Sequence, residues 1–316
     1  MHFSIIIPLY NKAAYVKKAI ESVLSQTFTD YELIIVDDGS TDNSSEIVAT
    51  TLEGRRNCLL LKQENAGVSV ARNNGVAASE GEYLCFLDAD DWWETPFLEE
   101  MYGLINRIPH AGIYGTNYWI VKNGKKKIAS IRIDDGFTEG TINYCQVYAK
   151  TLCMPLWTGA VCMPRSIFDE MNGFNPNLKL GEDFDLWIRI ALKYPVVFLN
   201  KPFSNYYQDA DTIFRGSRQK KYDPESFMTF HFDQFCNLEK TDPDLKKLLD
   251  RIRVYTLMNF RKKNLFPEKV QVEIEKVDFS NVDPIYRFYY QAPFWMVNIY
   301  LNTLQSLYWL KKMLIR

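Results

Sequence analysis

One stretch constrains this chain more than any other: Tyr83-Leu84-Cys85-Phe86-Leu87 runs straight into Asp88-Ala89-Asp90-Asp91-Trp92-Trp93. A short apolar segment bounded by Gly81 and an acidic cluster reads as a central strand buried on both faces. In open α/β sheets, ligands sit just outside the carboxyl ends of the strands. Asp88 and Asp90 therefore stand one residue apart at a strand's end, facing a crevice. Carboxylates held that close repel one another unless a cation joins them. Mg2+ or Mn2+, with oxygen ligands, satisfies both and commonly brings substrate phosphates with it. Taken alone, the same run is equally an acidic turn leading into a helix cap, so the rest of the chain must decide.

The pattern recurs upstream. Phe3 to Pro8 reads as a second buried strand, running into Leu9-Tyr10-Asn11-Lys12. Asn11 is placed to cap a helix over about residues 13–26, whose apolar stripe is Ala19, Ile20, Val23 and Leu24. Tyr31 to Val36 is a third strand, ending in Asp37-Asp38-Gly39-Ser40; Thr41, Asp42 and Asn43 then cap a helix. Cys58 to Leu61 is a short strand, and a helix over about residues 68–79 carries Arg72. Thr95-Pro96 opens the next helix. This alternation predicts an α/β fold with a mostly parallel sheet, right-handed crossovers and helices on both faces. The familiar nucleotide fingerprints are missing. The first strand–helix turn is Pro-Leu-Tyr-Asn-Lys, not G-x-G-x-x-G, and no G-x-x-x-x-G-K-[ST] occurs. A dinucleotide oxidoreductase and a P-loop NTPase are both disfavoured.

After residue 116 the pattern changes. Residues 117–133 read as a hairpin turning at Asn123-Gly124. Lys125-Lys126-Lys127 beside it suits a solvated edge. Helices are expected at about 141–150 and 164–171, with a strand-like Trp157-Thr158-Gly159-Ala160-Val161 between them. Trp157 is either a core tryptophan or an apolar platform for a ligand. Gly181-Glu182-Asp183-Phe184-Asp185-Leu186-Trp187 opens an amphipathic helix reaching Tyr194. Carboxylates in a first helical turn are also what a stable helix wants, so Glu182 and Asp183 are not functional on that ground alone. Helical segments at about 224–238 and 243–262 lead to an aromatic tail over residues 285–316, ending in Lys311-Lys312-Met313-Leu314-Ile315-Arg316. That tail suits a membrane headgroup interface, or else packs onto the catalytic domain or a homodimer partner.

Net charge is −2, so no global basic field argues for nucleic acid. The six cysteines form no C-x-x-C pair and read as reduced core residues of a cytosolic protein. No signal peptide is expected, and no stretch approaches the roughly 18 apolar residues of a membrane span.

Five stretches in order resemble the motif series of the family 2 glycosyltransferases: residues 5–11 (IIIPLYN), 34–42 (IIVDDGSTD), 67–73 (GVSVARN), 86–91 (FLDADD) and 181–187 (GEDFDLW). The resemblance covers about residues 1–210. It implies the GT-A fold, metal dependence with Mn2+ or Mg2+, and an inverting transfer of one sugar from a nucleotide-sugar, UDP-sugar being favoured. The acceptor would be a glycan or lipid-linked saccharide in cell-surface polysaccharide assembly. The enzyme would then be cytoplasmic, or peripheral on the inner face of the membrane. By resemblance, Pro8, Tyr10, Asn11 and Asp38 hold the nucleoside and Arg72 lies near the nucleotide. Asp90, with Asp88, takes the metal; Asp183 is the general base, with Glu182 beside it. Residues 1–215 would form the catalytic domain, nucleotide-binding to about 116 and acceptor-binding from about 117 to 215. Residues 216–316 would form a helical extension. A nucleotidyltransferase would want a Gly-rich basic loop near its start. A glycoside hydrolase needs two carboxylates but no nucleotide pocket. A non-catalytic binding module would have no use for the full set of candidate residues.

Overall fold

The computed structural model describes residues 1–210, 223–293 and 296–297. The chain divides into two compact units, Met1–Gln234 and Phe235–Arg316. The boundary expected near residue 215 lies outside the described residues.

The first unit runs β1 (Phe3–Leu9), α1 (Val16–Leu24), β2 (Tyr31–Asp37), α2 (Ser44–Thr51), β3 (Cys58–Lys62), α3 (Val68–Ala77), β4 (Tyr83–Phe86), β5 (Trp92–Trp93) and α4 (Phe97–Arg107). It continues with β6 (Ile113–Lys122), β7 (Lys125–Ile128), β8 (Glu139–Ile142), α5 (Tyr144–Thr151), β9 (Val161–Pro164), α6 (Arg165–Glu170), α7 (Glu182–Ala191) and β10 (Val196–Tyr207). These strands form one sheet in the order β3-β2-β1-β4-β9-β6-β10-β5, with β7 on β6 and β8 on β10. The first four strands are parallel, and they are the apolar runs of the sequence. Period-two alternation divides their side chains between faces. Ile5, Ile7, Leu33 and Ile35 pack with Ala19, Ile20 and Val23 of α1, whereas Ile34 and Val36 pack with Ala71 of α3. In the second half, β9 pairs antiparallel with both β4 and β6, while β10 runs parallel to β6.

Because β1, β2 and β4 are parallel, residues 10–12, 38–43 and 87–91 all emerge at one edge of the sheet. From there residues 87–91 travel to β5, which pairs with β10 on the far side of the sheet. Trp93 anchors the far end: its indole N–H donates to the Gly159 carbonyl at 2.6 Å, and its ring stacks on Phe97.

Three expectations need correction. Helix α1 begins at Val16, and Asn11 does not cap it. Asn11 has a left-handed backbone, φ 51°, and its side-chain oxygen accepts the Thr41 N–H at 2.8 Å instead. The hairpin turns at Asn123-Gly124 as expected, but its first strand starts at Ile113 rather than at 117, with buried Asn117 bonding Asn200 of β10. The α-helix expected at about 224–238 is a pair of 3-10 turns, Pro224–Ser226 and Met228–Phe235. Phe, Thr and His are weak helix formers. Here the backbone is also pinned to residues 179 and 180, through Lys179 N–H to Ser226 and Met228 N–H to Leu180.

In the second unit, α8 (Pro243–Lys262), α9 (Pro267–Glu275) and α10 (Pro284–Gln291) each open on a proline. Asp242 and Asp283 cap two of them through the N–H groups of Leu245 and Ile285. Arg253 is wholly buried between Glu239 at 2.8 Å and Glu273 at 3.3 Å. Two aromatics of the tail pack within this unit: the Tyr289 and Tyr290 hydroxyls donate to the Met258 and Val254 carbonyls of α8. Trp295, Tyr300, Tyr308, Trp309 and the terminal lysines lie outside the described residues. Among the described residues, no helix is long and apolar enough to cross a membrane.

Gly81, just before β4, is a close-approach glycine. A Cβ there would lie 2.6 Å from the Ser4 nitrogen and 2.7 Å from the Phe3 carbonyl carbon. Backbone cannot give way as a side chain can. Gly81→Ala is expected to cost about 1–3 kcal/mol in urea unfolding. A loss under about 0.5 kcal/mol would show that β1 and β4 can part there.

Candidate active site

The loop after β2 is built first. Asp38 is buried, and its carboxylate accepts from Gln63 Nε2 (2.8 Å), Ala66 N–H (2.7 Å) and Gly67 N–H (2.9 Å). It thus ties the end of β2 to the start of α3. Gly39, at φ 75°, lets the chain turn where a Cβ would lie 2.9 Å from the Asn65 nitrogen. Asn11 links the first loop to the second through Thr41 and Asp42. Pro8 is half-buried in β1 and Tyr10 is exposed at its end. Among the described residues, three of the roughly four lone-pair sites on Asp38 are taken.

The acidic loop meets two cations. Arg72 is buried on α3; its guanidinium donates to Asp88 Oδ1 at 2.8 Å and to Glu182 Oε1 at 3.4 Å. Among the described residues, its Nε has no partner. Burial works against the charge on Arg72, but Asp88 and Glu182 more than offset it, and its pKa is raised. Lys12 Nζ lies 2.6 Å from Asp90 Oδ2, with both side chains largely withdrawn from water. Asp91 is buried and points away from these cations, accepting from the Tyr207 N–H (2.8 Å) and the Trp157 indole (3.1 Å). Burial, then the charges of Asp90 and Asp88, push its carboxyl well above the usual range. Asp91 is structural.

Helix α7 brings the second set. Gly181, at φ 82°, starts it, and Glu182, Asp183 and Asp185 fill its first turn. The three divide their work. Glu182 faces Arg72. Asp185 is buried and pairs at 2.7 Å with Arg189, which also donates to the carbonyls of Met171 and Gly173. Asp183 accepts from Thr158 Oγ1 at 3.2 Å and from the Phe184 N–H at 2.7 Å. Burial and then Glu182 push Asp183 up to about 6, with Arg72 and the two hydrogen bonds holding it from going further. A carboxylate with that pKa is mostly ionised near neutral pH yet more basic than an ordinary one, which suits a general base.

Trp157 is half-buried rather than a core tryptophan. Its ring lies 4.0 Å from Tyr206 and 5.7 Å from Tyr118, making an aromatic wall beside Asp91.

Arg72 joins Asp88 to Glu182, and Asp183 follows Glu182 in the chain; Asp90 lies on the same loop as Asp88, and Trp157 is tied to that loop through Asp91. Pro8, Tyr10, Asn11 and Asp38 lie on the adjacent loops. Two residues are additions. Lys12 is the single cation in residues 10–12, 38–43 and 87–91, a signal visible in the sequence. Thr158 carried no such signal, because only the turn before β9 aims it at Asp183. Asp88 and Asp90 are hard oxygen donors, each already drawing a cation, and two carboxylates completed by substrate phosphates are a common Mg2+ arrangement. They fit such an ion. Among the described residues, no group of three or more His, Cys, Asp or Glu could by itself hold one.

Comparison with known proteins follows the same lines. Residues 4–170 match the family described as Glycosyl transferase family 2. Glycosyltransferase GlyA of Streptococcus pneumoniae serotype 4 is 31% identical over 212 residues, which are 64% of this chain and 30% of GlyA. The chain spans about a third of the length of the first curated relatives it matches. Among solved structures, S. aureus TarS 1-349 in complex with UDP-GlcNAc has a TM-score of 0.73 at 22% identity, covering 89% of this chain and 83% of that one. Mannosyltransferase PcManGT from Pyrobaculum calidifontis, in complex with GDP-Man and Mn2+, has a TM-score of 0.55 at 16% identity, covering 97% and 80%. These likenesses establish the fold, the GT-A arrangement that the motif series implied.

Arg72 is expected to be the costliest site residue to remove. Arg72→Met leaves Asp88 and Glu182 facing each other without a cation, and should destabilise the protein by about 3–5 kcal/mol in denaturant unfolding. Arg72→Lys should recover only part of this, since one ammonium lacks the planar fork that reaches both carboxylates. Wild-type stability in Arg72→Met would remove Arg72 from this role.

Proposed function

The chain belongs to glycosyl transferase family 2, and we propose that it moves one sugar from a nucleotide-sugar to a hydroxyl of a glycan or lipid-linked saccharide, with inversion. The observation that carries this reading is Asp183: a half-buried carboxylate raised to about 6, linked through Glu182 and Arg72 to the Asp88–Asp90 loop. The acceptor oxygen attacks the anomeric carbon while its proton passes to Asp183. The bond from that carbon to the diphosphate oxygen breaks, and its electron pair leaves with the diphosphate. One displacement inverts the centre. Asp90 and Asp88 would hold Mg2+ or Mn2+, which supplies neutralising charge for the leaving diphosphate. Pro8, Tyr10, Asn11 and Asp38 cradle the nucleoside, and Trp157 with Tyr206 offers a sugar-sized apolar face. Family motifs favour a uridine base. The fold itself accommodates UDP-GlcNAc in TarS and GDP-Man in PcManGT, so both bases belong in any assay. The acceptor belongs to cell-surface polysaccharide assembly at the inner face of the cytoplasmic membrane. That location is supported by the aromatic and lysine content of residues 294–316.

Asp183→Asn should lower sugar transfer by about 10²–10⁴-fold, while calorimetry still detects UDP or GDP with Mn2+. Near-normal turnover would remove Asp183 as the base. A base must be ionised to accept a proton, so kcat/KM should fall about tenfold per pH unit below pH 6 and level off above it. Because the Glu182 charge raises Asp183, Glu182→Gln should move that limb to lower pH; an unmoved limb would assign it to another group. Co-sedimentation with anionic vesicles should be lost on deleting residues 294–316, and a full-length chain that never binds vesicles would assign the tail to packing.

A further inference from the structure

Lys12 has no role in the reaction just described, yet it too is paired inside the site. Its backbone N–H donates to Ser44 Oγ at 2.9 Å, which fixes the stem at the start of α2. The side chain then crosses to the β4–β5 loop, where the ammonium lies 2.6 Å from Asp90 Oδ2. The side chains are 12% and 16% exposed, so solvent screens this pair far less than an ordinary surface pair. Asp90 is also the oxygen donor to which the metal role falls.

We propose that Lys12 is a positioning residue that makes metal and nucleotide binding cooperative. Its ammonium holds Asp90 Oδ2 in the free enzyme and turns to the diphosphate when the nucleotide arrives. An ammonium at hydrogen-bond distance and a divalent ion compete for the same oxygen, and the two positive charges repel strongly in a partly buried site. A diphosphate reverses that balance by giving the ammonium an anionic partner of its own. Lysine is suited to such a move, with a compact charge on a flexible four-carbon stem and three rotatable donors. The face of Tyr15, whose centroid is 5.9 Å from Nζ, supports the ammonium along the way. Arg72 cannot serve, because Asp88 and Glu182 hold both ends of its guanidinium. By linkage, the nucleotide must tighten metal binding by the same factor as the metal tightens nucleotide binding.

This inference rests on the nucleotide–metal reading of the site, and the test separates the two. Free Mn2+ is followed by electron paramagnetic resonance in titrations of the full chain, alone and with UDP or GDP, so turnover is not needed. Wild type should bind Mn2+ weakly alone and much more tightly with one of the nucleotides. Lys12→Met should bind Mn2+ alone more tightly, by roughly tenfold, and the gain from nucleotide should shrink by a similar factor. Lys12→Arg, which keeps the charge, should retain weak binding of Mn2+ alone. Should Lys12→Met fail to fold, Lys12→Gln carries the same comparison. Equal Mn2+ affinities in wild type and the neutral variant, with and without nucleotide, would overturn the role of Lys12 and leave the reaction untouched. Absence of Mn2+ binding to wild type with either nucleotide would overturn the nucleotide–metal reading and this inference together.

Discussion

The site depends on one buried guanidinium. Arg72 has its Cα on a helix of the parallel half of the sheet and its partners on two other elements: Asp88 after β4, and Glu182 at the start of α7. An isolated buried charge is very costly, so the cation demands carboxylates, and the carboxylates, crowded together, demand the cation. That mutual requirement fastens the first half of the catalytic unit to the second. It also orients Asp183. Asp183 follows Glu182 directly, so holding Glu182 on Arg72 fixes the first turn of α7 and the direction in which Asp183 points.

The carboxylates of the acidic loop and of the first turn of α7 differ because their surroundings differ. Asp88 and Asp90 each face a cation. Asp91, one residue on, is turned into the protein, held by the Tyr207 N–H and the Trp157 indole, and raised well above the usual range by burial. Asp183 is pushed up to about 6 by burial and then by Glu182, while Arg72 holds it from going further. Asp185 is spent on structure, pinning Arg189 and through it the turn at Met171 and Gly173. Neighbouring carboxylates thus come to differ in partner, burial and proton affinity through the fold around them.

Much of this was legible in the chain. Strands β1, β2 and β4 are visible because strands buried on both faces must be continuously apolar. Their parallel order follows from the helices between them, and the carboxyl-end rule then places Asp38, Asp88 and Asp90 on one edge. Errors arose where side chains do non-local work. Asn11 looks like a helix cap, yet its amide oxygen accepts from a loop thirty residues on in the chain. A helix is expected over residues 224–238, but weak helix formers and hydrogen bonds to residues 179 and 180 give tighter turns instead. Thr158 was passed over because a hydroxyl has no periodicity to reveal its partner, whereas Lys12 was legible as the single cation in the three loops.

By itself, the sequence determined the fold class, the strands that carry the loops and the inventory of candidate groups. Burial patterns and turn chemistry are local properties, written in consecutive residues. Tertiary structure alone decided which cation meets which carboxylate. Arg72 and Glu182 stand 110 positions apart in the chain, and Lys12 and Asp90 stand 78 apart. Such pairings, and the pKa values that follow from them, depend on distances and desolvation that exist only once the sheet has closed and the helices have docked.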